Sequence, residues 1–262
     1  MEHMRLRVWC LGLAAVALLA ANVAVAQPQL PYENHYKVYR TPLIPFTKPI
    51  LLRDQFGQYQ VQVFNLEAWS NPTEKIIPET GDHYPIINPI VHQMWWRGNF
   101  PGIPPIEIIG IDQFGTNKWT LINPEYLLTP ALKNVPQGEP PVWNHYLCYA
   151  SQPVPITKFV VLVDQFGTTT HQLVYGRWFC NPVEKTHLDD GRVYPIVDAK
   201  AHLACYYTFN TSPMAFPVSS IDQFGQWHFD VFNEFCLCTP ALKEHVVKTE
   251  ESTWGKIKAM YQ

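Results

Sequence analysis

Residues 221–232 read IDQFGQWHFDVF, and the tetrapeptide inside them, Asp222-Gln223-Phe224-Gly225, recurs at Asp54, Asp112 and Asp164. Runs of β-forming residues precede the copies, as in Ile106–Ile111 and Phe159–Val163. Alternation follows them, as in Gln60-Val61-Gln62-Val63 and His228-Phe229-Asp230-Val231. Period-two alternation on both sides of a four-residue punctuation predicts a β-hairpin. The aspartates suit the first turn position because a carboxylate accepts backbone N–H groups across the turn. Gly57, Gly115, Gly167 and Gly225 suit the last, where φ can be positive. The phenylalanine is expected to fold back over the hairpin and bury its ring.

The four aspartates stand 58, 52 and 58 residues apart, so the pattern has a period of 110. Laid without gaps on residues 144–243, residues 34–133 match at 34 of 100 positions, which marks a duplication. Within each half the pattern recurs more faintly, giving four units near 34–75, 91–133, 144–185 and 201–243. Each unit opens with a histidine (His35, His92, His145, His202) and closes with proline and then lysine, as in Pro72 to Lys75 and Pro240 to Lys243.

The third unit (His145, Cys148, Tyr149, Asp164 to Gly167, Cys180, Pro182, Lys185) and the fourth (His202, Cys205, Tyr206, Asp222 to Gly225, Leu237, Cys238, Pro240, Lys243) carry the motifs most fully. The layout resembles a domain-of-unknown-function family of secreted bacterial repeats, with a His-x-x-Cys-Tyr start, a DQFG centre and a Leu-Cys-x-Pro-x-x-Lys end. The resemblance implies a secreted, mostly β module and brings no activity with it. The first two units depart from it at both cysteine positions.

The repeated polar residues invite a catalytic reading, which their numbers oppose. One carboxylate per unit is no cage for calcium or zinc, and no serine or cysteine accompanies the His and Asp in every copy. Asp54, Asp112, Asp164 and Asp222 are therefore read as structural turns, and the four histidines as structural residues on half-buried strands, bonding backbone or the turn of their own unit. The terminal lysine is read as solvated. No catalytic residue, metal site or cofactor is expected.

The cysteines provide an internal control. Cys148 and Cys205 hold one repeat position, Cys180 and Cys238 another; units one and two carry Val38 with Ser70 and Trp95 with Leu128 there. Joint presence or joint loss predicts the disulfides Cys148–Cys180 and Cys205–Cys238. With Cys10 set aside at the head of the apolar run near the start, Cys236 is left over, as a buried thiol, an alternative partner for Cys205 or a link to another chain.

At the start, Arg5 and Arg7 precede an apolar run and Ala24-Val25-Ala26, the pattern of a secretory signal peptide over residues 1–26. The mature chain would hold 17 basic and 21 acidic residues, which argues against nucleic acid. No later segment approaches a membrane span. Charged residues are 16 %, aromatics 14 % and prolines number 24, a composition suited to strands joined by fixed turns.

The fold expected is all-β: two tandem β-sandwich-like domains of two roughly 55-residue repeats each, at 27–134 and 144–243, with a linker at 135–143 and a tail at 244–262 that is a short helix or frayed. The function expected is a secreted, non-enzymatic module with a structural, adhesive or surface-presenting role toward a cell-envelope or extracellular partner. The alternative is glycan binding by tryptophans at 69, 95, 96, 119, 143, 178, 227 and 254. A hydrolase ranks third, since no G-x-S-x-G or H-E-x-x-H is present. Asn210-Thr211-Ser212 matches a glycosylation acceptor.

Overall fold

A computed structural model describes residues 30–135, 137–209 and 215–245. The expected signal peptide, the Asn210-Thr211-Ser212 match and the tail beyond His245 lie outside the described residues. Twelve strands form one antiparallel sheet: β1 (His35–Asp54), β2 (Gly57–Ile77), β3 (Asp82–Tyr84), β4 (His92–Gly98), β5 (Ile106–Asp112), β6 (Gly115–Lys133), β7 (His145–Asp164), β8 (Gly167–His187), β9 (Val193–Tyr194), β10 (His202–Phe209), β11 (Ala215–Asp222) and β12 (Gly225–His245). Among these residues no helix is long and apolar enough to cross a membrane.

The chain is all-β, and its arrangement differs from two tandem sandwiches. Eight strands close a ring in the order β1, β2, β4, β6, β7, β8, β10, β12 and back to β1, each hydrogen-bonded to the next. Every unit supplies two staves of one barrel. The reason lies in the edges: the four staves of one half would leave two strands unpaired, and pairing β6 with β7 and β12 with β1 satisfies both seams with the other half. The stretch expected as an interdomain linker therefore joins neighbouring staves.

Alternation along the staves sorts side chains between the two faces of the wall. Tyr36 and Tyr146 stand on staves four places apart in the eight, yet both donate their hydroxyls to the Glu33 carboxylate, at 3.0 and 2.5 Å. Their face is therefore the barrel interior, which holds Val38, Trp95, Leu128, Trp178 and both disulfides. The opposite face carries Trp69, Met94, Leu127, Leu147, Phe179, Tyr206 and Leu237, and these are buried as well.

The four DQFG hairpins cover that outer face. They are arms built from the far half of β1 with the near half of β2, and likewise β5–β6, β7–β8 and β11–β12, with aspartate facing glycine across each tip. Gly115, Gly167 and Gly225 have φ of 118°, 128° and 144°, which a side chain would strain. Each arm crosses to the unit two places along the ring. Ile50–Arg53 pairs with β8, Ile108–Ile111 with β12, Val161–Val163 with β2, and Ser220–Ile221 with β6.

A single strand serves as both stave and arm, which is why β1, β2, β7, β8 and β12 reach 20 or 21 residues. The change of direction falls at register shifts flanking Pro45 in β1 and, 110 positions on, Pro155 in β7. Proline is tolerated there because an irregular pair needs no N–H from it.

Candidate functional site

The repeated polar residues meet at the arm tips. At each tip one aspartate oxygen accepts the N–H of the phenylalanine two residues on, at 2.8–2.9 Å. The other oxygen serves a different unit. Asp54 Oδ2 accepts the Tyr149 hydroxyl at 2.8 Å; Asp112 Oδ2 accepts Tyr206 and Thr239, at 2.6 and 3.1 Å. Asp164 Oδ2 accepts Tyr39 and Asn71, and Asp222 Oδ2 accepts Trp96 and Thr129. In every case the donors belong to the unit two places along.

The tip phenylalanine does not lie over its hairpin as expected. Phe56, Phe114, Phe166 and Phe224 stand edge-on to Tyr149, Tyr206, Tyr39 and Trp96, with centroids 5.1–5.4 Å apart. The arm has no free surface of its own large enough to bury the ring, whereas the wall beneath it offers an aromatic face.

The closing lysines also depart from expectation. Lys75 and Lys185 are fully buried, because the strand runs on past the proline to receive an arm. Lys75, Lys133, Lys185 and Lys243 lie 4.3–4.8 Å from the centroids of Phe114, Phe166, Phe224 and Phe56, each the tip ring of the next unit. Burial pulls Lys75, Lys185 and Lys243 down to about 7 and Lys133 to about 8, against the opposing pull of the Asp112, Asp222, Asp54 and Asp164 carboxylates. Burial likewise raises Asp54, Asp112 and Asp222.

A pH dependence follows. The folded lysines titrate below their ordinary 10.5, so between about 7 and 9 the unfolded chain binds more protons; above that the tyrosines and Cys236, which burial raises, oppose the lysines. Stability is expected to rise with pH across that window. Urea midpoints at pH 7 and pH 9 check it; an equal or lower midpoint at pH 9 contradicts it.

The histidines are buried rather than half-buried, and His35 and His145 bond the turn of a different unit rather than their own. His35 Nε2 takes the Gln113 side chain at 2.8 Å and His145 Nε2 that of Gln223 at 2.6 Å, in each case the tip of the next unit. His92 stacks on Trp69 at 4.8 Å, and His202 lies against Phe179. Burial holds His35, His92 and His145 below the ordinary imidazole value, with His92 at about 3. Neutral, enclosed imidazoles suit packing.

One hub differs from the other three. Lys37, on β1, lies 3.3 Å from both Asp164 and Glu234, and Glu234 lies 2.6 Å from His171. All four side chains are buried, and they come from three units. At the repeat positions of Lys37, His171 and Glu234 the other units carry Met94, Leu147 or Ala204; Val61, Trp119 or Phe229; and Leu66, Pro124 or Gly176. The cluster is thus a charged substitute for an apolar contact. In the neighbouring niche Trp119 fills the space instead, and a Cβ on Gly176 would run into its ring.

The disulfides join Cys148 to Cys180 and Cys205 to Cys238 inside the barrel. Cys180 Sγ lies 3.8 Å from Cys205 Sγ, and the buried thiol of Cys236 lies 4.0 Å from Cys238 Sγ. Exchange needs a thiolate, and burial pushes the Cys236 thiol up while the chain is folded. Unfolding at alkaline pH is expected to scramble the natural protein and to leave both bridges intact in Cys236→Ser. Peptide mapping after acid quench reads the outcome; equal scrambling in both excludes Cys236 as the attacking group.

Two cavities related by the duplication lie beside the second and fourth arm tips. The larger, about 400 Å³, is lined by the 138–143 segment, His145, Arg192, Tyr194, Pro195, Val197 and the Ile221-Asp222-Gln223 tip. The smaller, about 300 Å³, is lined by Leu30, Tyr84, Ile111, Asp112, Gln113, Gly115 and Thr116. Asn144 fixes the loop wall of the larger: its Oδ1 accepts the N–H groups of Val197 and Asp198, and its Nδ2 donates to the Asp198 carbonyl. Val142 and Val197, at 86 and 54 % exposure, belong to the lining. The lining brings together His145 and Asp222 from different units, but it contains no serine, threonine or cysteine.

Sequence reasoning passed over Glu33, its pairing with Trp143 and the Lys37 cluster. Glu33 and Trp143 occupy equivalent positions of the two halves, and the Trp143 indole donates to Glu33 at 2.6 Å. Of the tryptophans expected as sugar platforms, Trp69, Trp95, Trp96, Trp119 and Trp178 are buried. Trp143 and Trp227 are half-buried, and Trp254 lies outside the described residues. Among the described residues, the groups of three or more possible metal ligands are Cys205, Cys236 and Cys238, and His187, Asp189 and Asp190. Neither contains a DQFG aspartate.

Comparison with known proteins adds a family. The model described as a repeat of unknown function (DUF7450) matches residues 92–239, more than half of the chain. No curated protein and no solved structure matches.

Proposed function

The chain belongs to the DUF7450 family of repeats of unknown function, and from that premise we propose that it is an exported, non-enzymatic barrel that holds a rigid surface toward a cell-envelope or extracellular partner. The engagement of the repeated carboxylates carries the reading. Each has one oxygen committed to its own turn and the other to a different unit, so the residues that define the repeat hold units together. Two internal disulfides suit an oxidising compartment outside the cytosol. The cavity lining holds no serine, threonine or cysteine, which supports a binding role over hydrolysis by such a nucleophile.

Two measurements test this. The intact exported protein should bind isolated envelope fractions, or a glycan array, saturably. It should also turn over none of a panel of esters, glycosides and peptides. Turnover that Asp222→Asn or His145→Gln removes from a still folded chain would replace this reading with an enzymatic one.

A further inference from the structure

The two cavities descend from one ancestor, but their charges have diverged. Arg192 lines the larger, where the first half has Asp82; Glu139 lines it too, where the first half has residue Gln29. Arg192 is held in place by Asp190, which accepts Nε and Nη2 at 2.7 Å, and Nη1 has no partner among the described residues. Glu139 forms no ion pair among them. Arg192 and Glu139 thus line a cavity whose walls include Trp143, Tyr194 and Ile221, together with Asp222, whose oxygens are already committed to its own turn and to Trp96 and Thr129.

We propose that the larger cavity binds a free apolar amino acid or the like end of a very short peptide, as the zwitterion. The carboxylate meets the Arg192 guanidinium, the ammonium meets Glu139, and the side chain lies against the aromatic and aliphatic wall. A volume of about 400 Å³ accommodates one or two residues and falls within the ordinary range for small-ligand sites. Among the described residues the smaller cavity has neither an arginine nor a glutamate in its lining and should leave such ligands unbound, which makes it a control within the same chain.

Titration calorimetry of the intact protein with L-phenylalanine and L-leucine tests the assignment. The expected result is one site per chain, with phenylalaninamide and N-acetylphenylalanine each weaker by about tenfold or more, since each lacks one charge-assisted contact. Arg192→Gln should weaken phenylalanine by a similar factor and leave phenylalaninamide unchanged. Glu139→Gln should act in the same way on the ammonium side. Both side chains sit at the surface, so unchanged urea midpoints separate lost binding from lost folding. Equal affinity for phenylalanine and its amide, or no saturable binding of either amino acid at 10 mM, overturns the proposal. Neither outcome touches the partner-holding role, which the envelope-binding measurement judges separately.

Discussion

Lys37→Met is expected to destabilise the protein by about 3–5 kcal/mol, the cost of removing one partner from a buried ionic cluster. The substitution leaves the buried Asp164 and Glu234 carboxylates without the ammonium that lies 3.3 Å from each. Asp164 keeps its bonds from Tyr39, Asn71 and its own turn, so the loss should fall mainly on the Glu234 side. The repeat itself suggests the rescue. Replacing Lys37, His171 and Glu234 together by alanine, tryptophan and glycine copies Ala204, Trp119 and Gly176 from the adjacent niche. Exchanging a buried ionic triad for apolar packing of similar volume is often neutral or stabilising. The triple variant should therefore recover most of what the single one loses. Urea unfolding of the three proteins decides; a single variant within about 1 kcal/mol of the natural protein would show that the cluster is not held by the lysine.

Reduction of the disulfides should have the largest effect of all. Each bridge closes a loop with a sequence separation of 32 or 33 residues, worth about 3.7 kcal/mol apiece on the chain-entropy estimate. Both lie in the second half of the chain, and a pair of independent domains would respond with one of them unfolding while the other stayed intact. The closed ring predicts otherwise. Units one and two contribute four of the eight staves and clasp units three and four with their arms, so reduced protein should unfold in one transition at lower urea. Circular dichroism and tryptophan fluorescence should trace the same curve. A two-step curve with an unshifted second step would restore the two-domain picture.

The hairpins were legible because they are local: alternation, an aspartate, two intervening residues and a glycine specify a tip without reference to the rest of the chain. The cysteine pairing was legible for another reason, since four copies in one chain act as an alignment. Closure of the barrel was not. At the seam that closes the ring, which strand edge meets which depends on residues far more than 100 positions apart, as where Tyr36 faces Cys238. The burial of Lys75 and Lys185 was missed for the same reason, because the arm that covers each lysine comes from a distant unit. Glu33 and the Lys37 cluster could have been found. Each places a charge where another copy of the repeat carries an apolar or aromatic side chain, and that contrast is visible without coordinates.

The crossing of the arms bears on ancestry. A polypeptide ending at residue 133 would own four staves and two arms with no wall of its own to lay them on. The unit that each arm seeks, two places along, would exist only in a twin molecule. The forerunner with half this length would then have been an obligate homodimer, and gene fusion through the 135–143 segment converted a concentration-dependent association into a property of one chain.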